Sequence, residues 1–238
     1  MKVLKFGGTS VGSAKRMKEV ASLITDGQQK IVVLSAMSGT TNTLVEIADY
    51  LYKKNPVSAN EVISQLEKKY AAVIDELYTK DETKQQATAC LKQHFELLRN
   101  FTKQNVFLLF DEKIILAQGE LMSTAMVNLY LQEIGRKSAL LPALDFMRID
   151  KNNEPDTAYI REHLNKELAK LPAATEIYIT QGFICRNAYN EIDNLQRGGS
   201  DYSASLIGAA VKADEIQIWN NVRKIRSIKF SFKITKIC

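Results

Sequence analysis

The strongest constraint on this chain is a repeated order: a short apolar run, a loop of small residues, then apolar residues at helical spacing. Val3-Leu4-Lys5-Phe6 reads as a strand that stops at Gly7-Gly8. Met17, Val20, Ala21 and Ile24 follow at the spacing of one helix face, and Asp26-Gly27 closes that helix. Ile31-Val32-Val33-Leu34 is continuously apolar, as in a strand buried on both faces. Ser35 to Thr40 is a small-residue loop, after which Leu44, Ile47, Ala48 and Leu51 recur as on a helix. Strand, loop, helix, repeated, predicts a parallel sheet with crossover helices.

The chain then changes character. Ser58 to Asn105 is rich in Lys, Glu, Gln, Ala and Leu, lacks Gly, and breaks only near Thr79 to Thr83, which predicts two or three helices. A helix is expected from Val106 to about Leu116. Gln118-Gly119-Glu120 is expected to open another, ending at Gly135. Further on, a strand is expected at Ala139 to Leu141, a helix at Thr157 to Lys170 before Pro172, and a strand at Glu176 to Thr180. A small-residue helix follows to Lys212, then a core strand at Glu215 to Trp219.

Composition narrows the class. The chain has 238 residues, 45% of them apolar and 25% charged, enough for a substantial core and too apolar for disorder. No stretch reads as about 18 uncharged apolar residues, so no membrane span is expected. The start, MKVLKFGG, has no secretory apolar segment, and three scattered Cys give neither a disulfide framework nor zinc spacing. A reducing cytoplasm is the expected setting, and the Cys are expected to be inert packing residues. The two His, His94 and His163, are placed on surface helices without metal-ligand partners, so no metal site is expected.

Several constellations could carry chemistry. Lys5-Phe6-Gly7-Gly8-Thr9-Ser10 joins a strand to a helix through paired glycines, so backbone N–H groups and Lys5 can approach one anion. It matches neither standard phosphate motif, and an ordinary glycine turn is an equal reading. Arg197-Gly198-Gly199-Ser200-Asp201 has the same form. Arg197 can clamp a carboxylate, and Asp201 can order a cation or a metal-bound phosphate. The plainer reading is that Ser200 or Asp201 caps a helix. Ser35-Ala36-Met37-Ser38-Gly39-Thr40-Thr41-Asn42 follows a buried strand, where open α/β sheets bind ligands, although Thr40, Thr41 or Asn42 could simply be caps. Glu120, read in the first turn of its helix, would be favoured there by the dipole alone.

Together these residues are more specific than any one of them. Lys5-Phe-Gly-Gly-Thr-Ser-Val11 closely resembles the opening signature of aspartate kinases, in the amino-acid kinase superfamily. Ser35 to Asn42, Gly119-Glu120, Gln181-Gly-Phe-Ile184 and Arg197 to Asp201 resemble the later segments, in the same order, across residues 1–219. The resemblance implies a three-layer α/β/α sandwich on a mostly parallel sheet. It also implies phosphoryl transfer from ATP to the side-chain carboxylate of L-aspartate, giving 4-phospho-L-aspartate, the first step of the Lys, Thr and Met biosynthetic pathway. By resemblance Lys5 neutralises the phosphoryl group beside the Gly7 and Gly8 amides, and Asp201 orients Lys5. Gly198 and Gly199 contact phosphate. Arg197 grips the substrate's α-carboxylate and Glu120 its ammonium. Ser35, Thr41 and Ser200 complete the pocket, and Mg²⁺ arrives with ATP. The family leaves room for a homodimer. No nucleic-acid or membrane partner is implied.

After Trp219 the resemblance ends. Family members continue Thr-Asp-Val-Asp-Gly, whereas Asn220 to Cys238 here contains no Asp, Glu, Gly or Pro. Residues 1–219 therefore read as a partial kinase domain with its nucleotide half incomplete. Residues 220–238 read as a basic, poorly ordered tail, although Ile228, Phe230, Phe232 and Ile234 alternate as a strand would. Weak or absent turnover is expected, and an aspartate-binding remnant is the alternative. The formal +5 charge, 32 basic against 27 acidic residues, would suit nucleic acid. Six of the basic residues lie in the tail: Arg223, Lys224, Arg226, Lys229, Lys233 and Lys236. Without them 26 basic residues face 27 acidic ones, and the body carries −1.

Overall fold

A computed structural model describes residues 1–195, 199–221 and 224–228. Arg197, Gly198 and the tail from Lys229 onward, including Phe230, Phe232 and Ile234, lie outside the described residues.

The elements come in the order β1 (Lys2–Phe6), α1 (Ala14–Ile24), β2 (Lys30–Leu34), α2 (Thr40–Tyr52), α3 (Pro56–Leu77), α4 (Asp81–Phe101) and α5 (Leu109–Glu133). After them come β3 (Ser138–Leu140), α6 (Thr157–Lys170), β4 (Ile177–Gln181), β5 (Ile184–Arg186), β6 (Ile192–Asn194), α7 (Gly199–Ala210), β7 (Glu215–Asn221) and β8 (Lys224–Ile228). The main sheet runs β3-β4-β2-β1-β7-β8. Its first five strands are parallel, and β8 returns antiparallel to β7. β5 and β6 form a separate hairpin.

Strand alternation divides the core in two. Leu4, Phe6, Val32, Leu34, Ile177 and Ile179 pack on the side of α1 to α5. Val3, Ile31, Val33 and Tyr178 pack on the side of α6 and α7. The fold is thus a three-layer α/β/α sandwich. Every residue of β2 is buried, which explains its unbroken apolar run. Lys5 shares the parity of Val3 and so belongs to the α7 side.

Local chemistry sets the ends of the helices. The Ser13 hydroxyl caps α1 by accepting from the Arg16 amide, and Asn55 caps α3 by accepting from the Ser58 amide, with Pro56 in the first turn. Gly39, at φ 81°, is the N-cap of α2, so Thr40, Thr41 and Asn42 lie inside that helix and none of them caps it.

One expectation about the helices is corrected. The two helices expected around Gly119 are one continuous helix, α5. Gly119 does not open a helix, and Glu120 lies near its middle, where the N-terminal dipole has no bearing. A mid-helix glycine costs about 1 kcal/mol relative to alanine. Contact explains its presence: a Cβ at 119 would stand 2.8 Å from the Ala36 Cβ. α5 is also long and apolar enough, by length and composition, to cross a membrane, although Glu120 interrupts its uncharged run, as the sequence reading holds. Here it is the central core helix, with buried residues on every face.

Two differences come from pairing that local patterns do not show. The β5–β6 hairpin was not expected. Residues 224–228, expected to be poorly ordered, pair with β7 as β8.

Candidate functional site

The parallel register aligns the strand ends. Phe6 stands opposite Leu34 on one side and Trp219 on the other, and Leu34 stands opposite Gln181. The loops after β1, β2 and β4 therefore meet at one edge of the sheet, where ligands of open α/β folds bind. The Gly8 carbonyl accepts from the Ser38 amide at 3.1 Å, and a Cβ at Gly8 would stand 2.7 Å from the Ala36 carbonyl oxygen. Gly8 is thus required for the first two loops to close on each other.

α7 brings the second half of the site. Its first turn carries Ser200 and Asp201, and neither is the N-cap because both lie within the helix. Lys5 Nζ sits 2.5 Å from Asp201 Oδ1. The lysine side chain is 9% exposed and the aspartate 45%, although Oδ1, the oxygen facing the lysine, is itself buried. Ser35 Oγ donates to Ser200 Oγ at 2.9 Å. Gly182 makes this docking feasible: a Cβ there would stand 2.4 Å from the Ser200 side chain. Ser203 secures the same junction by accepting from the Phe183 amide at 2.9 Å.

Glu120 enters from α5. It is buried, its Oε1 accepts from the Ala36 amide at 3.1 Å, and its Oε2 is buried with no hydrogen-bond partner. Burial pushes its carboxyl up to about 7, against the pull of the Ala36 hydrogen bond. A buried carboxylate oxygen without a partner is relieved by taking up a proton or by a cationic donor.

The structure thus joins Lys5 to Asp201, Ser35 to Ser200, and Glu120 to the loop that carries Ser35. Gly7 differs from its expected role: its N–H donates to the Trp219 carbonyl at 3.1 Å and extends the sheet ladder. Gly199 starts α7 in the left-handed region, at φ 48°. Thr41 is half-buried in the first turn of α2. It is Thr40 that is buried, with its hydroxyl 3.1 Å from that of Tyr70. Arg197 and Gly198 fall outside the described residues.

His94 is not simply on the surface: its Nδ1 lies 2.7 Å from Gln118 Oε1, and burial lowers its pKa. Cys185 is buried, with its thiol pushed up to about 12, as an inert packing residue would be. A surface groove of about 710 Å³ is lined by residues of α1 and by Glu76 and contains none of the paired residues. Sequence reasoning missed Ser123 and Tyr70, which support the loop from behind, and Thr124, whose hydroxyl accepts from Gln181 Nε2 at 2.8 Å.

Comparison with known proteins places the chain in a family. The model of the Amino acid kinase family matches residues 1–229, and the chain belongs to that family. Within it the chain is similar to aspartokinases. It is 30% identical to the aspartokinase of Chlamydia muridarum over 94% of this chain and 49% of that protein. It is 31% identical to lysine-sensitive aspartokinase 3 of Escherichia coli over 92% of this chain and 49% of that protein. Among solved structures, E. coli aspartokinase III in complex with lysine and aspartate superposes with a TM-score of 0.79 at 29% identity. The same enzyme in complex with aspartate and ADP gives 0.76 at 29% identity. Each match covers 92% of this chain and 49% of that one. The chain spans about half the length of the curated relatives it matches.

Proposed function

We propose that this chain carries the amino-acid site and phosphoryl-transfer residues of an aspartate kinase, transferring the γ-phosphoryl group of ATP to the side-chain carboxylate of L-aspartate. The observation that carries this reading is the convergence, at one sheet edge, of a buried lysine paired to Asp201, a serine pair, and a buried carboxylate with a free oxygen. A substrate carboxylate oxygen attacks the γ-phosphorus, and the bond to the bridging oxygen breaks with its electrons leaving on ADP. No covalent enzyme intermediate is needed, so positioning and charge neutralisation do the work.

In this reading Lys5 offsets charge on the transferring group, and Asp201 holds Lys5 in place. Glu120 Oε2 takes the substrate ammonium, while Ser35 and Ser200 offer hydroxyls. Arg197 takes the α-carboxylate, and Gly8, Gly198 and Gly199 allow close approach of phosphate. Among the described residues no three metal-ligating side chains cluster. The half-exposed Asp201 carboxylate suits a magnesium ion held mainly by nucleotide phosphates, which would supply charge neutralisation when bound. A homodimer, a place in amino-acid biosynthesis and a cytoplasmic setting belong to the same proposal.

Calorimetry with aspartate and with Mg-ATP separately, followed by an acyl-phosphate assay, tests the reading. Heat with both ligands and product formation support it. Aspartate heat with no Mg-ATP response favours a non-catalytic amino-acid-binding remnant.

A further inference from the structure

The Ser35 carbonyl and the Ala36 N–H are the two ends of one planar peptide group. Both ends are held by the same helix. Ser123 Oγ on α5 donates to the Ser35 carbonyl at 2.8 Å, and the Ala36 N–H donates to Glu120 Oε1 at 3.1 Å. Glu120 and Ser123 are three residues apart and so share one helix face. Because the carbonyl and N–H of a trans peptide point in opposite directions, this peptide cannot rotate without breaking both bonds. The grip falls beside the closest approach of α5 to the loop, where Gly119 leaves room for the Ala36 side chain.

We infer that Ser123 and Glu120 clamp the Ser35–Ala36 peptide, and that Ser123 is thereby a positioning residue for the amino-acid site. The inference rests on the function proposed above and adds a residue to it. With Oε1 tied to the clamped peptide, the direction of Oε2 is set before any ligand arrives. The same clamp orients Ser35, whose amide donates to the Phe6 carbonyl at 3.2 Å and whose hydroxyl meets Ser200. A purely helical role for Ser123 would be a bond back to the Glu120 carbonyl, but that distance is 3.2 Å, longer than the 2.8 Å to Ser35.

The surroundings leave Glu120 sensitive to the clamp. Tyr70 of α3 bears on it electrostatically, with its hydroxyl shared with Thr40. His94 of α4 is engaged by Gln118, and Lys113 pairs with Asp193 of β6 at 2.7 Å. Among the described residues no cation pairs with Glu120. Its hydrogen bond from Ala36 favours the charged form, so loosening the peptide raises its pKa further.

The test uses Ser123→Ala in the full chain, with Ser123→Cys as a variant of similar volume and weak donor strength and Ser123→Thr as the hydroxyl-retaining rescue. Glu120 is titrated by carbon NMR of labelled glutamate carboxyls without ligand, and aspartate affinity is read by calorimetry. The expected result is an upward shift of the Glu120 midpoint in the Ala and Cys variants, aspartate binding weakened about fivefold, and both restored by Thr. Parental midpoint and affinity in Ser123→Ala, with only a lowered Tm, would overturn the clamp. Absence of aspartate binding by the parent chain would overturn the proposed function instead, and the ligand-free titration would still decide the clamp.

Discussion

The two carboxylates of the site sit in opposite environments. Asp201 stands in the first turn of α7, half exposed, 2.5 Å from a lysine. Glu120 stands in the middle of α5, 4% exposed, with one oxygen on a backbone amide and the other on nothing. The difference separates their work. In the proposed reaction a half-exposed acid with its own cation suits a holder of charge. A buried acid without a cation, pushed up to about 7, is a vacancy for one.

Lys5→Ala strikes the α7 side hardest. If this pair neutralises the transferring group, turnover falls by about 10²–10³-fold while aspartate binding changes far less. A coupled ADP-release assay beside calorimetry reads the split, and equal losses in both would erase the distinction between the two acids.

Glu120→Gln strikes the α5 side. If Glu120 takes the substrate ammonium as proposed, binding needs it ionised, so parental aspartate affinity should strengthen as pH rises through about 7, and the variant should lose that dependence. Folding stability runs the other way. The folded pKa is raised above the unfolded value of 4.5, so the contribution is present below that value and lost as pH rises through about 7. From that shift the loss amounts to about 3 kcal/mol. Denaturant unfolding at pH 4 and pH 8 measures it, and a pH-independent difference between parent and variant would contradict the burial argument.

The two glycines behind the acids should rank below these. Gly182→Ala presses a methyl onto Ser200 and should destabilise the chain by about 1–3 kcal/mol. Gly119→Ala meets Ala36 but gains helix propensity, so its net cost should be smaller, about 1 kcal/mol. Thermal melts order the two. The smallest effect belongs to Lys69→Ala, which removes an exposed 2.7 Å bond to the Ser38 carbonyl and should cost about 0.5 kcal/mol.

Legibility followed the reach of each interaction. α1 and α6 begin and end where the apolar periodicity and caps place them, because those signals act over one turn. The strands are displaced by a residue or two at most of their ends, because their limits depend on partners. Glu120 was identified as a candidate, yet its place in the helix was misread, because Gly119 looks like a break until Ala36 is seen against it. Ser123 had no signature of its own, since a serine one turn past an acid is commonplace and its partner lies 88 residues away.

The sequence by itself determined the layered α/β order, the glycine-rich loops and the residue types at the site, because hydrophobic period and backbone freedom are local properties. Tertiary structure alone decided which groups meet. Strand parity sent Lys5 towards α7 and Asp201, parallel register brought three loops to one edge, and burial left Glu120 with an open oxygen. Charge, solvation and hydrogen bonding depend on neighbours distant in the chain, so they become definite only when the layers pack.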